Sequence, residues 1–231
     1  MTPNRLARPL VSLVILAIAA AAHASPAHAQ GGQPNTGTGP ALPKSGRIAR
    51  DTAYERKVLA QMKAPDGFTL VSFAGPPVAM YPTVVAPSPD GSVYVGTDLN
   101  LAQGAVKGRG RVTRLVDDDG DGRADRYTIF AELDSPRGIA VDGKTVYILH
   151  PPHLSAFRDT NGDGIADTSE ILVRNVGFDL DVRSSDHATN NITLGPDGWP
   201  VGGRGSGLRP MCPSCGLVVA ERPGLGWQRT G

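Results

Sequence analysis

A short apolar strand, an Asp-Gly pair and a second apolar strand recur three times in this chain. The copies are Pro82-Thr-Val-Val-Ala-Pro-Ser-Pro-Asp90-Gly91-Ser-Val-Tyr94-Val, Pro136-Arg-Gly-Ile-Ala-Val-Asp142-Gly143-Lys-Thr-Val-Tyr147-Ile and Asn191-Ile-Thr-Leu-Gly-Pro-Asp197-Gly198-Trp199. Asp-Gly between apolar runs signals a tight hairpin, because glycine accepts the positive φ that such turns require. The pairs are 52 and 55 residues apart. Further strand-like stretches lie between them at 111–116, 127–133, 153–157 and 171–176. Four short strands per unit at a period near 50 describe β-propeller blades. The expected fold is therefore all-β, with about two and a half blades over residues 65–199. Closed propellers need roughly four to eight blades, so the chain reads as the front part of a larger propeller.

Each complete unit carries an acidic loop placed to join its third and fourth strands. The first is Asp117-Asp-Asp119-Gly-Asp121-Gly122-Arg-Ala-Asp125, and the second is Asp159-Thr-Asn161-Gly-Asp163-Gly164-Ile-Ala-Asp167. Both follow D-x-[DN]-x-D-G-x-x-D, in which positions 1, 3 and 5 turn oxygens toward one centre and Gly at position 6 permits the sharp turn. Position 9 ligates directly or through water. The second loop has Glu170 at position 12, where a bidentate ligand would sit, and the first has Thr128 there. The metal-binding candidates are Asp117, Asp119, Asp121, Asp125, Asp159, Asn161, Asp163, Asp167 and Glu170. A structural calcium ion fits this donor set, and a metal-free acidic turn is the alternative, since Asp, Asn and Gly also build ordinary turns.

The flanks differ from the repeat. Arg5 and Arg8 followed by an apolar run from Leu10 to Ala22, with Ala22-His-Ala24 and Ala27-His-Ala29 after it, have the form of a secretion signal over residues 1–29. A periplasmic or secreted location follows. No later segment is apolar for long enough to span a bilayer. Residues 30–50 lack an apolar period and read as a flexible linker. Residues 51–64 carry one short helix, capped by Asp51 and stopped by Pro65-Asp-Gly67. Residues 200–231 break the repeat and read as an irregular tail, from either a shifted reading frame or a genuine terminal loop. Twenty-three basic and 22 acidic residues leave no basic tract, which argues against nucleic acid as a partner.

The stretch from Pro65 to Trp199 resembles secreted bacterial propellers related to soluble quinoprotein glucose and sorbosone dehydrogenases. It is most similar to the large-protein family described as membrane-bound dehydrogenases, often fused to a cytochrome c domain. Pro65-Asp-Gly-Phe68, Tyr81-Pro-Thr83, Gly108-Arg-Gly-Arg-Val112, Ser135-Pro-Arg-Gly138, His150-Pro-Pro-His153, Gly177-Phe-Asp-Leu-Asp181 and the run from Asp186-His187 to Trp199 carry the resemblance, with both acidic loops. It implies oxidation of a sugar or alcohol by pyrroloquinoline quinone, with electrons passed to a cytochrome or quinone. His187, eight residues before Gly195 of Gly195-Pro-Asp197, matches the general base of that family. Imidazole titrates near neutrality and can take a hydroxyl proton as hydride leaves. Two departures bear on this. The residues that hold the quinone come from blades not present here, so the resemblance implies an inactive partial enzyme, with a non-catalytic calcium-stabilised binding propeller as the alternative. Cys212-Pro-Ser-Cys215 is followed by Gly216 rather than His, so it is no haem attachment site; a tight disulfide or half of a zinc site are its other readings.

Overall fold

The structure is a computed structural model that describes residues 41–101, 104–182, 184, 190–196, 198, 200–203 and 217–219. His187, Asp186, Trp199, Cys212, Cys215, the secretion signal and most of the tail lie outside the described residues. What is described is all-β with one short helix.

The helix α1 (Thr52–Leu59) forms where Asp51 can cap it: the Asp51 carboxylate accepts from the backbone N–H of Ala53 at 3.1 Å and of Tyr54 at 2.9 Å. These donors have no partner within the helix, which is why an aspartate there starts one.

The first sheet holds β2 (Pro82–Pro87), β3 (Val93–Asp98), β4 (Gly110–Val116) and β5 (Arg126–Glu132), each antiparallel to the next. The second repeats the arrangement with β6 (Gly138–Asp142), β7 (Thr145–His150), β8 (His153–Arg158) and β9 (Thr168–Arg174). A third holds β10 (Ile192–Leu194), β11 (Pro200–Gly203) and β12 (Leu217–Val219). Four-stranded antiparallel meanders repeated in chain order are propeller blades, two complete and one part-described. Gly91 and Gly143 turn the first two hairpins at φ of 85° and 57°. The second strands, β3 and β7, are almost wholly buried; β7 is correspondingly apolar, whereas β3 also buries Thr97 and Asp98. The outer strand β9 is polar and mostly exposed.

Two segments depart from the sequence expectation. Residues 45–47 belong to the stretch read as a flexible linker, yet β1 (Ser45–Arg47) adds a fifth strand to the first sheet, with Ser45 opposite Thr128 and Arg47 opposite Arg126. The open edge of β5 supplies the pairing, and Leu42 and Ile48 pack against the sheet. Likewise 200–203 and 217–219, read as irregular, form β11 and β12. Val201 pairs with Thr193 on one side and Val219 on the other.

Three apolar layers separate these parts. Phe73 and Ala74 pack with Val95, Leu115, Tyr127 and Ile129 on the outer face of the first sheet. Phe130, Val112 and Tyr94 meet Ile139, Val146 and Ile148 between the first and second sheets. Leu149, Leu154 and Tyr147 meet Ile192 and Leu194 between the second and third. The second and third sheets approach so closely at Gly138 that a Cβ there would lie 2.7 Å from the Ile192 nitrogen.

A meander reverses direction at every strand. The Asp-Gly turns and both acidic loops therefore share one end of the sheets, and the β3–β4, β5–β6 and β7–β8 links share the other.

Candidate metal centre

The first acidic loop joins β4 to β5 and the second joins β8 to β9, the third-to-fourth strand positions read from the repeat. Within each loop the side chains are organised by backbone donors in the same way. Asp117 accepts from Gly120 N at 2.7 Å and Gly122 N at 2.9 Å, and Asp159 accepts from Gly162 N at 2.6 Å and Gly164 N at 2.7 Å. Position 9 closes the loop by accepting from the backbone N–H of position 2: Asp118 N to Asp125 at 2.8 Å, Thr160 N to Asp167 at 3.0 Å. Two of these carboxylates are shifted by such donors. Asp117 stays below the usual carboxylate range: its desolvation pushes the other way but is outweighed by the N–H groups of Gly122 and Gly120. Asp167 is held low chiefly by the Thr160 hydroxyl, which donates at 2.7 Å.

In the first loop, carboxylate oxygens of Asp117, Asp119 and Asp125 all lie within 4.8 Å of one another. Among the described residues this is the one group of three or more His, Cys, Asp or Glu side chains so arranged. Asp121, at position 5, is drawn toward Arg50 at 2.8 Å, with Arg123 4.0 Å away. The second loop has Asn161 where the first has Asp119, and Asn161 donates weakly to Asp163 at 3.3 Å. Glu170 is an exposed residue of β9 opposite Ala156 and joins no such cluster.

The loops also contact segments that precede their own sheets, which the motif alone does not reveal. At position 8, Ala166 N donates to the Phe130 carbonyl of β5 at 2.8 Å, and Ala124 N donates to the Phe73 carbonyl at 2.9 Å. At position 6, Gly164 and Gly122 have φ of 84° and 82°. A Cβ on Gly164 would meet Thr128 Oγ1 at 3.2 Å, and one on Gly122 would meet Val71 Cγ2 at 3.4 Å. The positive φ favours glycine at both positions, and at Gly164 the approach to Thr128 is tight as well.

The opposite end of the sheets carries the other notable polar groups. Arg137, in the β5–β6 link, pairs with the fully buried Asp98 at the end of β3 at 3.0 Å. His150 and His153 close β7 and β8 around Pro151-Pro152, with ring centroids 5.7 Å apart. His150 Nε2 lies 2.9 Å from Ser155 Oγ, and burial, aided by His153, lowers its pKa to about 4. The link holding His187 leaves β9 at this same end by topology, but His187 itself is outside the described residues. Lys107 from the β3–β4 link pairs with Asp179 and Asp181 at 3.3 and 2.5 Å.

A family model described as a domain of unknown function (DUF7133) matches residues 55–214. No curated protein matches the chain. Among solved structures, similarity is found to a gluconolactonase from Xanthomonas campestris, at 18% identity over 60% of this chain and 46% of that one, TM-score 0.41. The calcium-binding protein regucalcin from Agrobacterium tumefaciens matches at 18% identity over 53% and 38%, TM-score 0.37. A calcium structure of the Trichoderma reesei carbohydrate-active enzyme family AA12 matches at 19% over 62% and 34%, TM-score 0.45. The chain spans less than half the length of each. These scores are too low to carry an assignment, which rests instead on the strand order and the loops described above. Among the described residues no helix is long and apolar enough to cross a membrane.

Proposed function

We propose, for a chain that belongs to the family described as a domain of unknown function (DUF7133), that it is a calcium-stabilised propeller whose metal sites fasten each blade to the one before. The observation that carries this reading is the convergence of the Asp117, Asp119 and Asp125 oxygens. A set of carboxylates with no nitrogen or sulfur donor suits a hard divalent cation. Bound calcium would supply the positive charge that offsets the mutual repulsion of these carboxylates. Asp117, Asp119 and Asp125 would hold it, joined by Asp121 once Arg50 releases it. Asp159, Asn161, Asp163 and Asp167 would hold a second ion more weakly, having one carboxylate fewer. An extracytoplasmic location, which the N-terminal signal pattern supports, would keep such sites loaded.

The test is a thermal melt with added calcium. The melting temperature rises with calcium and the rise is reduced in Asp117→Asn, because a ligand that binds only the folded state stabilises it by about 2.7 kcal/mol at a hundredfold excess over Kd. A melt indifferent to calcium overturns the reading.

A second, enzymatic reading is supported by the sequence resemblance of residues 65–199 to quinoprotein sugar dehydrogenases. Under it, His187 would take the hydroxyl proton of a sugar or alcohol, bound pyrroloquinoline quinone would supply the hydride-accepting chemistry, and a cytochrome or quinone would be the onward electron acceptor. Pyrroloquinoline quinone titration separates the two readings, since only this one requires binding.

A further inference from the structure

His150 and His153 take no part in either reading given for the molecule. They are the last pair of the β7–β8 ladder, directly opposite each other, His150 ending one strand and His153 beginning the next. Directly opposed residues of an antiparallel pair have Cβ atoms only about 4.5–5.5 Å apart, so their side chains share one patch of surface. The two rings here have centroids 5.7 Å apart and planes tilted by 56°. Both residues are half-buried rather than sealed, so a small ion can reach them.

That separation suits one shared metal ion. An ion about 2.1 Å from a ring nitrogen lies about 3.2 Å from the centre of that ring, so two imidazoles on one ion have centroids at most about 6.4 Å apart. The observed 5.7 Å corresponds to an angle of about 125° at the ion, a modest opening of the tetrahedral value. His150 also has the support that a metal ligand needs. Its Nε2 is 2.9 Å from Oγ of Ser155, a buried residue of β8, and Phe157 stands edgewise to the same ring at 6.0 Å. With the Nε2 proton donated to that hydroxyl, Nδ1 carries the lone pair. A ligating imidazole characteristically gives its other N–H to a fixed oxygen in this way, which sets both tautomer and ring orientation. Burial, aided by His153, keeps the ring neutral near pH 7, the form that binds metal.

The surroundings favour a cation. Asp179, in the link after β9, interacts with the charge of His153, and Asp179 and Asp181 together outnumber their partner Lys107 by one charge. Among the described residues no third His, Cys, Asp or Glu side chain converges with the pair, so two or more positions of a tetrahedral ion would be left to water or another ligand. Imidazole nitrogens suit zinc, copper and nickel, whereas calcium and magnesium take oxygen. We propose that His150 and His153 chelate one divalent cation of the zinc, copper and nickel class, with coordination positions open to a further ligand. The site lies at the end of the sheets away from the acidic loops and differs from them in donor chemistry, so it stands whether or not those loops hold calcium.

Zinc is titrated calorimetrically into the full chain at pH 7 with excess calcium present, because calcium competes for carboxylate oxygen and not for imidazole nitrogen. His150→Gln, His153→Gln, the double variant and Ser155→Ala are titrated in parallel, with far-ultraviolet spectra to verify folding. The expected result is a zinc affinity that falls at least tenfold in either single variant and no further in the double variant, since one remaining imidazole cannot chelate. Ser155→Ala should weaken zinc about tenfold through the orientation of His150. Copper(II) on the wild type should show coupling to two nitrogens by electron paramagnetic resonance. A wild type that takes up no zinc overturns the proposal, as does zinc that calcium displaces. A folded single variant that keeps the wild-type zinc affinity overturns it too. Should neither variant fold, copper coupled to fewer than two nitrogens in the wild type overturns it without them.

Discussion

Replacing His150 by glutamine isolates the contribution of one buried imidazole to acid sensitivity. His150 sits at the end of β7 with Nε2 against Ser155 Oγ at 2.9 Å, its ring set edgewise 6.0 Å from Phe157 and 5.7 Å from the ring of His153. Desolvation, with a smaller push from His153, lowers its pKa from 6.5 to about 4. A folded pKa below the unfolded one means that the unfolded chain binds more protons between those values. Stability is then fully present above pH about 6.5 and is lost as pH falls toward 4. Linkage across that gap gives a loss of about 2 kcal/mol by pH 5 and about 3 kcal/mol by pH 4. Urea unfolding at pH 7 and pH 5, with a chelator present so that calcium does not enter, measures the loss for wild type and for His150→Gln. Glutamine keeps a polar partner for Ser155 but does not titrate. The carboxylates contribute equally to both proteins and cancel in the double difference, which should be about 2 kcal/mol. A double difference below about 0.5 kcal/mol would refute the reasoning, because it would place a charged His150 in the fold at no cost.

Other substitutions probe the seams and the core. Gly164→Ala is expected to cost more than Gly162→Ala in urea unfolding: both have φ near +80°, but only the first places a Cβ against Thr128, with open space around the second. The positive φ alone costs about 1–2 kcal/mol, so any excess at position 164 reports the docking of the loop on the preceding sheet. Phe130→Ala, which empties a 1% exposed site packed edge-on against Tyr94 at 5.1 Å, should destabilise by about 3–5 kcal/mol by the same measurement. Asp51→Ala should cost about 1 kcal/mol, seen as faster hydrogen exchange at Ala53 and Tyr54 with little change in the sheets.

Much of this architecture was legible because its signals are local. The Asp-Gly pairs at 90 and 142 each set a hairpin within a dozen residues, and the acidic loops appear between the third and fourth strands where their spacing puts them. Asp51 announced α1, although the helix ends at Leu59, short of the stretch assigned to it. What escaped depends on distant partners. Ser45–Arg47 has no strand-like pattern and becomes a strand only because β5 offers an edge. The contacts of Ala124 with Phe73 and of Gly122 with Val71 join residues 51 positions apart. At the candidate metal centre, the carboxylates of 117, 119 and 125 could be read from spacing, whereas the diversion of Asp121 to Arg50 joins residues 71 positions apart.

Each acidic loop reaches beyond its own sheet to the part of the chain packed before it. Ala166 reaches back to Phe130, and Ala124 reaches back to Phe73. Such a molecule behaves as a one-dimensional array, in which each unit has its own intrinsic stability and a separate coupling to its neighbour. A loop that loses its grip weakens the coupling while leaving the unit largely intact. The measurable signature is the sharpness of the transition rather than its midpoint: as the loops are disabled one after another, a single cooperative unfolding step should broaden and then divide, with the sheets parting from one another before any of them dissolves.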